Sequence, residues 1–222
     1  MRHAAAGSLW GCLLAVTLAA SAVAEPRQEA SAADGHADAR PSFTAGEREA
    51  LNAGNMVSRA LRFEHAGGHY VGGVSYQVVD ARPELVLSAL SDVANWPDAL
   101  PRTKSARLLD SSDGVSRVEL VQGSALVDAR YTVVLERADA ETIRFWLDGS
   151  QPHDISDVWG FFRVRALPGG RSLITVGAAL DLGDGLTRLF EDRIARVMLR
   201  APRQIRDFVQ PRALALAGSL AH

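Results

Sequence analysis

The stretch from Leu186 to Val209 constrains the fold more than any other part of this chain. Apolar residues recur there at helical spacing, and arginines gather on the opposite side. The apolar side comprises Leu186, Leu189, Phe190, Ile194, Val197, Met198, Ala201, Ile205, Phe208 and Val209; the other side carries Arg188, Arg193, Arg196, Arg200, Arg203 and Arg206. Leaving such a stripe in water would cost about 1.5–3 kcal/mol per large side chain. The pattern therefore predicts one long helix laid across a sheet, an arrangement that can enclose an apolar pocket.

The region before this helix alternates apolar and polar residues with the period of β-strands. The first strand contains Val74, Tyr76 and Val78, and two short helical segments follow, beginning at Pro83 and around Asn95 to Leu100. Six more strands are predicted at Ser105–Asp110, Val115–Gln122, Ala129–Arg137, Thr142–Asp148, Ile155–Ala166 and Ser172–Asp181. This order predicts an α+β domain with one antiparallel sheet of seven strands and two short helices after the first strand.

The N-terminus has the three parts of a secretory signal peptide. Arg2 and His3 precede an apolar stretch from Leu9 to Ala20, and Ala22-Val23-Ala24 is a small-x-small cleavage pattern. The apolar stretch is short for a membrane span, although an uncleaved anchor is the alternative. We predict a signal peptide over residues 1–24, cleavage near Ala24, and a periplasmic or secreted mature protein.

The remaining chain divides by composition. Residues 25–43 have the composition of a flexible linker, because they contain almost no large apolar side chain. Thr44 and Glu47 have the spacing of a capping box, so a helix is predicted from Thr44 to Arg62 within an N-terminal helical extension over 44–66. A ligand-binding domain over 67–210 follows, and residues 211–222 form a short tail that we expect to be frayed.

Composition limits the chemistry of the mature chain. The only cysteine, Cys12, lies in the leader, so the mature chain has no disulfide, thiolate metal site or cysteine nucleophile. Loss of the leader leaves 23 basic and 26 acidic side chains, a formal net charge of −3. That balance gives no reason to expect nucleic-acid binding.

The segment from Ser91 to Pro101 carries a resemblance to a known family. Asp92, Val93, Trp96, Pro97, Leu100 and Pro101 match a stretch of the form D-V-x-x-aromatic-P-x-x-L-P, and Gly160, Phe162, Val164 and Gly169-Gly170 match a later strand and turn. Over roughly residues 69–209 the chain resembles the START-like (SRPBCC) helix-grip superfamily, in the polyketide cyclase/dehydrase and lipid-transport branch that includes coenzyme Q-binding START domains. The resemblance implies a seven-stranded sheet wrapped around the C-terminal helix, with an apolar cavity between them.

We expect ligand contacts on the inner side of the sheet, on the helix and on the segment between Pro97 and Pro101. The predicted ligand-binding residues are Trp96, Leu100, Tyr131, Val133, Phe145, Phe162, Ile194, Val197 and Met198. The prolines restrict the local backbone, and methionine adapts to differing ligands. We therefore predict that the segment with Trp96 and Leu100 forms one lip of an entrance and the middle of the helix forms the other, with Phe145 and Phe162 deeper on the sheet.

Several histidines and acidic residues are candidates for chemistry. His153, Asp154 and Asp157 offer acid–base groups or metal ligands, yet such residues at a strand entry are commonly solvated turn residues. His65 and His69 are four residues apart, but the intervening glycines argue against a helix that presents both to one ion. We predict no catalytic residue, no metal and no cofactor.

The leading interpretation is an exported protein that binds a lipid or other apolar small molecule without chemistry. Two alternatives stay open: a cyclase- or dehydrase-type enzyme acting on a polyketide-like substrate in the same cavity, and a protein-interaction module with a collapsed cavity. The arginine side of the last helix is either a solvated face or a site of transient membrane-surface contact.

Overall fold

The structure is a computed structural model that describes residues 41–123, 128–183 and 191–219. The chain divides into two units, Met1–Ser42 and Phe43–His222, and the account below concerns the second. The predicted signal peptide and nearly all of the predicted linker lie outside the described residues. So do Leu186, Arg188, Leu189 and Phe190 of the predicted C-terminal helix.

Helix α1 (Ala45–Asn52) begins at the predicted capping box. The backbone N–H of Glu47 donates to Thr44 Oγ1 over 3.2 Å, and that of Thr44 donates to Glu47 Oε2 over 2.8 Å. The predicted extension of this helix to Arg62 is wrong, because Gly54 has a φ of 77° just beyond the helix end, a conformation that terminates helices. Val57–His65 then forms strand β1 instead.

One antiparallel sheet of eight strands follows the order β1-β2-β8-β7-β6-β5-β4-β3. The remaining strands are β2 (Gly68–Val79), β3 (Thr103–Ser112), β4 (Val115–Gly123), β5 (Asp128–Arg137), β6 (Thr142–Leu147), β7 (Asp157–Leu167) and β8 (Arg171–Asp181). The seven strands predicted from the alternation are all present. The predicted count of seven is wrong by one because β1 adds to the edge of β2, so the short helices follow the second strand.

Two short helices join β2 to β3, as predicted. Helix α2 (Pro83–Ser91) begins with proline in its first turn, where the missing N–H is tolerated. A 3-10 turn (Val93–Asn95) leads into α3 (Trp96–Ala99), and the Asp92 carboxylate accepts a hydrogen bond from the backbone N–H of Ala94 at the start of that turn.

The C-terminal helix is divided. Helix α4 (Glu191–Met198) and helix α5 (Ala201–Ser219) are separated at Leu199 and Arg200, so the prediction of one continuous helix is wrong. Pro202 explains the break, because its ring excludes the helical carbonyl four residues earlier, at Met198. The predicted frayed tail is also wrong for residues 211–219, since α5 continues through Pro211 to Ser219.

The two faces of the sheet are covered unequally. The inner face packs against α2, α3 and α5 in one large apolar cluster, which includes Val79, Val164 and Ile205. The outer face carries a smaller cluster in which α1 contributes Leu51 against Tyr76. Within the described ranges, no helix has the length and apolar character needed to cross a membrane.

Candidate functional site in the grip between sheet and helices

The inner apolar cluster gathers nearly all of the predicted ligand-binding residues. Trp96, Leu100, Tyr131, Val133 and Phe162 are buried members of this cluster. Phe145, Ile194 and Met198 are half-buried and pack against it, whereas Val197 is half-buried on α4 without belonging to it. The structure thus brings eight of the nine residues together around one interior. Their role in binding a ligand stays a prediction.

Side chains occupy the centre of this interior. Val86 on α2, Val164 and Ile174 on the sheet, and Ile205 on α5 each have no exposed surface. The centre is therefore tightly packed, and the apolar side chains that keep partial access to water lie at its margin.

Six of the nine half-buried apolar residues that pack against this cluster lie towards one end of the sheet or on α4. Antiparallel pairing brings the start of β5 and the ends of β6 and β8 to this end. We call this rim the mouth, and its members are Ala129, Phe145, Leu147, Leu182, Ile194 and Met198. The mouth combines sheet residues with one side of α4, so α4 is the element whose displacement would widen it.

Trp96 lies in the core of this structure, whereas the sequence predicted that it would line the entrance. Its side chain is 2 % exposed, and its ring meets Phe162 edge-on with centroids 6.3 Å apart. The indole Nε1–H donates to the carbonyl oxygen of Leu90 over 2.9 Å. Gln204 of α5 further fixes this segment by donating to the carbonyl oxygens of Asp98 and Leu100 at 3.0 and 3.1 Å. This segment is therefore held by two neighbouring elements.

A chain of polar side chains lies on the inner face, at the same end as the mouth. The Tyr131 hydroxyl donates to Gln122 Oε1, and Gln122 Nε2–H donates to Thr103 Oγ1 over 2.8 Å. Tyr131 and Thr103 are 6 % and 7 % exposed, and Gln122 is half-buried. Burial raises the pKa of the Tyr131 hydroxyl above its ordinary value, so this group stays protonated and can donate.

Sequence reasoning selected Tyr131 but missed Gln122 and Thr103. The sequence contained a signal for Gln122, because this residue occupies the next inward position of β4 after the buried Val118 and Leu120. A polar side chain at an apolar position of a strand indicates a specific partner inside.

A histidine connects the β1–β2 hairpin to the start of α4. His69 Nδ1 lies 2.5 Å from Glu64 Oε1, and its Nε2 lies 3.3 Å from Glu191 Oε2. Arg62 on β1 also forms an ion pair with Asp192 on α4. Both ring nitrogens face carboxylates, which favours the doubly protonated imidazolium. The hydrogen bond with Glu64 raises the pKa of His69, burial opposes it, and the charge of Glu191 adds to the rise.

These contacts predict that the docking of α4 weakens as pH rises. A raised pKa in the folded state means that the stabilisation is fully present below about pH 6.5, the ordinary histidine pKa, and is lost as pH rises through the pKa of folded His69. We expect the melting temperature to fall between about pH 5.5 and about pH 8.5 by a larger amount in the wild type than in His69→Gln. Equal falls in the two proteins would contradict this role. The other histidines are the same in both proteins, so they do not affect the comparison.

The other histidines and acidic residues that were candidates for chemistry have separate structural partners. His153 Nδ1 lies 2.6 Å from the carbonyl oxygen of Ile155. The Asp154 carboxylate accepts from the backbone N–H of Arg130 at 2.8 Å, and that of Asp157 accepts from the Tyr70 hydroxyl at 2.7 Å. Among the described residues, no three histidine or acidic side chains are grouped so that they could hold a metal ion.

The arginines of the C-terminal helices have different surroundings. Arg193, Arg196, Arg200 and Arg203 are exposed. Arg206 is half-buried, bonds to Asp207 and donates to the carbonyl oxygen of Gly54 over 2.8 Å. It therefore joins α5 to the turn after α1, and contact of the exposed arginines with a membrane surface stays a prediction.

Two grooves lie at the opposite end of the sheet from the mouth. One, of about 460 Å³, lies among the end of α1, Val78 and Asp80 at the end of β2, and Arg206 on α5. The other, of about 530 Å³, lies between α2 and the turn after β5. None of the nine predicted ligand-binding residues lines either groove.

Comparison with solved structures shows the same fold at low sequence identity. The Zhui aromatase/cyclase from Streptomyces sp. R1128 aligns with a TM-score of 0.53 and 16 % identity, covering 71 % of this chain and 94 % of its own. A STAR-related lipid transfer protein from Xanthomonas axonopodis gives 0.54 and 12 %, with 68 % and 98 % covered. A START superfamily protein from Mycobacterium smegmatis gives 0.52 and 16 %, with 67 % and 99 % covered.

These alignments confirm the START-like helix-grip fold that the sequence resemblance implied. No match was found among curated proteins. The profile of the family described as polyketide cyclase / dehydrase and lipid transport matches residues 73–206, which is more than half of the chain. That span runs from β2 into α5 and includes every residue predicted to contact a ligand. The chain belongs to the polyketide cyclase/dehydrase and lipid-transport family.

Proposed function

We propose that this protein is an exported carrier that holds a lipid or similar apolar molecule between its sheet and C-terminal helices, without chemistry. The observation that carries the proposal is the mouth, where half-buried apolar side chains adjoin the large apolar cluster of the inner face. Small-molecule sites in proteins are lined mostly by apolar side chains. The N-terminal leader pattern supports export.

Cargo enters at the mouth by displacement of α4. This helix has one buried residue, Ala195, whereas α5 buries Ala201, Pro202, Ile205, Phe208 and Val209. Elements with few buried apolar contacts open at the lowest free-energy cost, so α4 is expected to move before α5. The ion pairs of His69 and Arg62 hold α4 at the closed position.

One experiment tests cargo and export together. The full chain is expressed in a bacterium with a periplasm, and the exported fraction is purified, sequenced from its N-terminus and extracted for mass spectrometry. We expect a chain that begins at Glu25 and carries a stoichiometric apolar molecule. Recovery of Met1 in the exported fraction would contradict cleavage, and protein without any extractable molecule would contradict the carrier role. Turnover of a polyketide-like substrate would favour the enzymatic alternative.

Ile194→Asp serves as the variant of the mouth in that experiment. A carboxylate at this half-buried apolar position disfavours an apolar guest, so we expect less co-purified molecule with the fold retained. The matched control is Leu214→Asp on α5, where the side chain is 63 % exposed. If the two variants carried equal amounts of cargo, entry at the mouth would be excluded.

A further inference from the structure

The polar chain formed by Thr103, Gln122 and Tyr131 has a bonding pattern that its neighbours lack. Other buried polar side chains of the inner face bond to the main chain: Ser75 to the carbonyl of Val176 and Ser172 to that of Ala81. Their bonds satisfy backbone groups, as most side-chain hydrogen bonds do. The three residues of the polar chain bond to one another instead. Side chain–side chain bonds are the minority class in proteins, and here they join three adjacent strands.

The polar chain retains unused hydrogen-bonding capacity. A hydroxyl carries one donor and two acceptor sites, and a glutamine amide carries two donors. Within the described residues, the Thr103 hydroxyl proton and the second Nε2–H of Gln122 have no bonded acceptor, and Tyr131 Oη has no bonded donor. Because Gln122 is half-buried, the chain reaches from the interior to the end of the sheet where the mouth lies. A guest that enters there can bring an oxygen atom to these groups.

The charges around the interior indicate whether the head group of a guest is charged or neutral. Among the described residues, Arg163 is the one buried basic side chain, and it lies on the outer face because it alternates with Phe162 and Val164 of the inner cluster. Arg163 is also bonded to Thr142 on the neighbouring strand. An anionic head group held on the inner face would therefore lose its hydration without gaining a cation, which is costly. An uncharged hydroxyl or carbonyl would exchange water for the donors and acceptors of the polar chain.

We propose that Thr103, Gln122 and Tyr131 select an apolar cargo that ends in an uncharged oxygen, such as an alcohol or a ketone, over hydrocarbons and over anions. This inference rests on the proposed carrier function and specifies its cargo. The residues are not catalytic in it; they set which head group is held.

Three probes of equal chain length test the selection on the full protein: dodecane, dodecan-1-ol and dodecanoate. We expect dodecan-1-ol to bind most tightly. Tyr131→Phe should weaken its binding about three- to tenfold, the loss expected for one hydrogen bond, and leave dodecane binding unchanged. The matched control is Tyr70→Phe, which removes a tyrosine hydroxyl on the outer face, and it should change neither affinity. Gln122→Leu is the second variant, with the same expected loss, in case Tyr131→Phe fails to fold.

The outcomes separate the two proposals. If the wild type binds none of the probes, the carrier function is overturned, and the selection with it. If the alcohol and the hydrocarbon bind equally, or the Tyr131 and Gln122 variants lower both affinities by the same factor, the carrier function stands and the selection is overturned. Tightest binding of dodecanoate would overturn the selection as well.

Discussion

Ile205→Asp should leave too little stability for the domain to fold at ordinary temperature. Ile205 has no exposed surface and lies in the inner cluster, where a carboxylate would lose its hydration among apolar side chains. We expect a loss of more than about 4 kcal/mol in the free energy of unfolding, against a total of about 5–15 kcal/mol for a typical domain. The measurement is urea denaturation followed by circular dichroism.

The control for this substitution lies on the same helix. Leu214→Asp introduces the same carboxylate at a position that is 63 % exposed, so its effect should stay within about 0.5 kcal/mol. A folded Ile205→Asp protein with the denaturation midpoint of this control would mean that α5 does not pack in the core.

Trp96→Ala should be the next most damaging change. The indole is 2 % exposed, contacts Phe162 and donates a hydrogen bond to Leu90, so truncation leaves a large cavity and an unpaired carbonyl oxygen. Truncation of a buried tryptophan costs about 3–5 kcal/mol. Thermal unfolding should therefore show a large decrease in melting temperature, in contrast to a lip residue, whose loss would change ligand exchange while sparing stability.

Trp146→Ala is the comparison for that result. Trp146 is half-buried and alternates onto the outer face of β6, away from Phe145. Trp146→Ala should lower the melting temperature clearly less than Trp96→Ala does. If Trp96→Ala were as stable as the wild type, its placement in the core would be wrong, and the lip prediction would regain support.

The strands of the sheet were predictable because their inner positions are apolar over long stretches. Tyr131, Val133 and Leu135 alternate with exposed or outward residues on β5, and this period leaves little choice of register. The capping box of α1 was predictable for a similar reason, since Thr44 and Glu47 act through contacts three residues apart. Local chemistry decided both.

Strand β1 could not be predicted in the same way. Val57 and Leu61 fit a helical stripe, and most of the side chains of β1 are exposed, so no buried alternation marks it as a strand. Its conformation depends on pairing with β2, where Val57 lies opposite Tyr76 and His65 opposite Gly68. Pairing within this hairpin overrides the weak local preference of β1 for a helix.

The division between α4 and α5 had a local signal that the helical stripe concealed. Pro202 follows Ala201 of the stripe and is itself buried, and the apolar periodicity continues across it from Met198 to Ile205. The apolar side of both helices faces the same core, so hydrophobic spacing alone cannot reveal the interruption. The polar chain of Thr103, Gln122 and Tyr131 could not be predicted for another reason. Its members lie on three different strands and become neighbours only when those strands pair.

The position of β1 has a consequence for the behaviour of the protein at high concentration. An edge strand presents unpaired N–H and C=O groups that can pair with a second copy and begin aggregation. On β1 this edge carries Arg59, Arg62 and Glu64, whose charges disfavour the close approach of a flat partner strand. Arg59 is ion-paired to Glu47 on α1, and Arg62 is ion-paired to Asp192 on α4, so charged side chains of both helices lie beside this edge. The strand that widens the sheet therefore also protects this edge from pairing with a second copy.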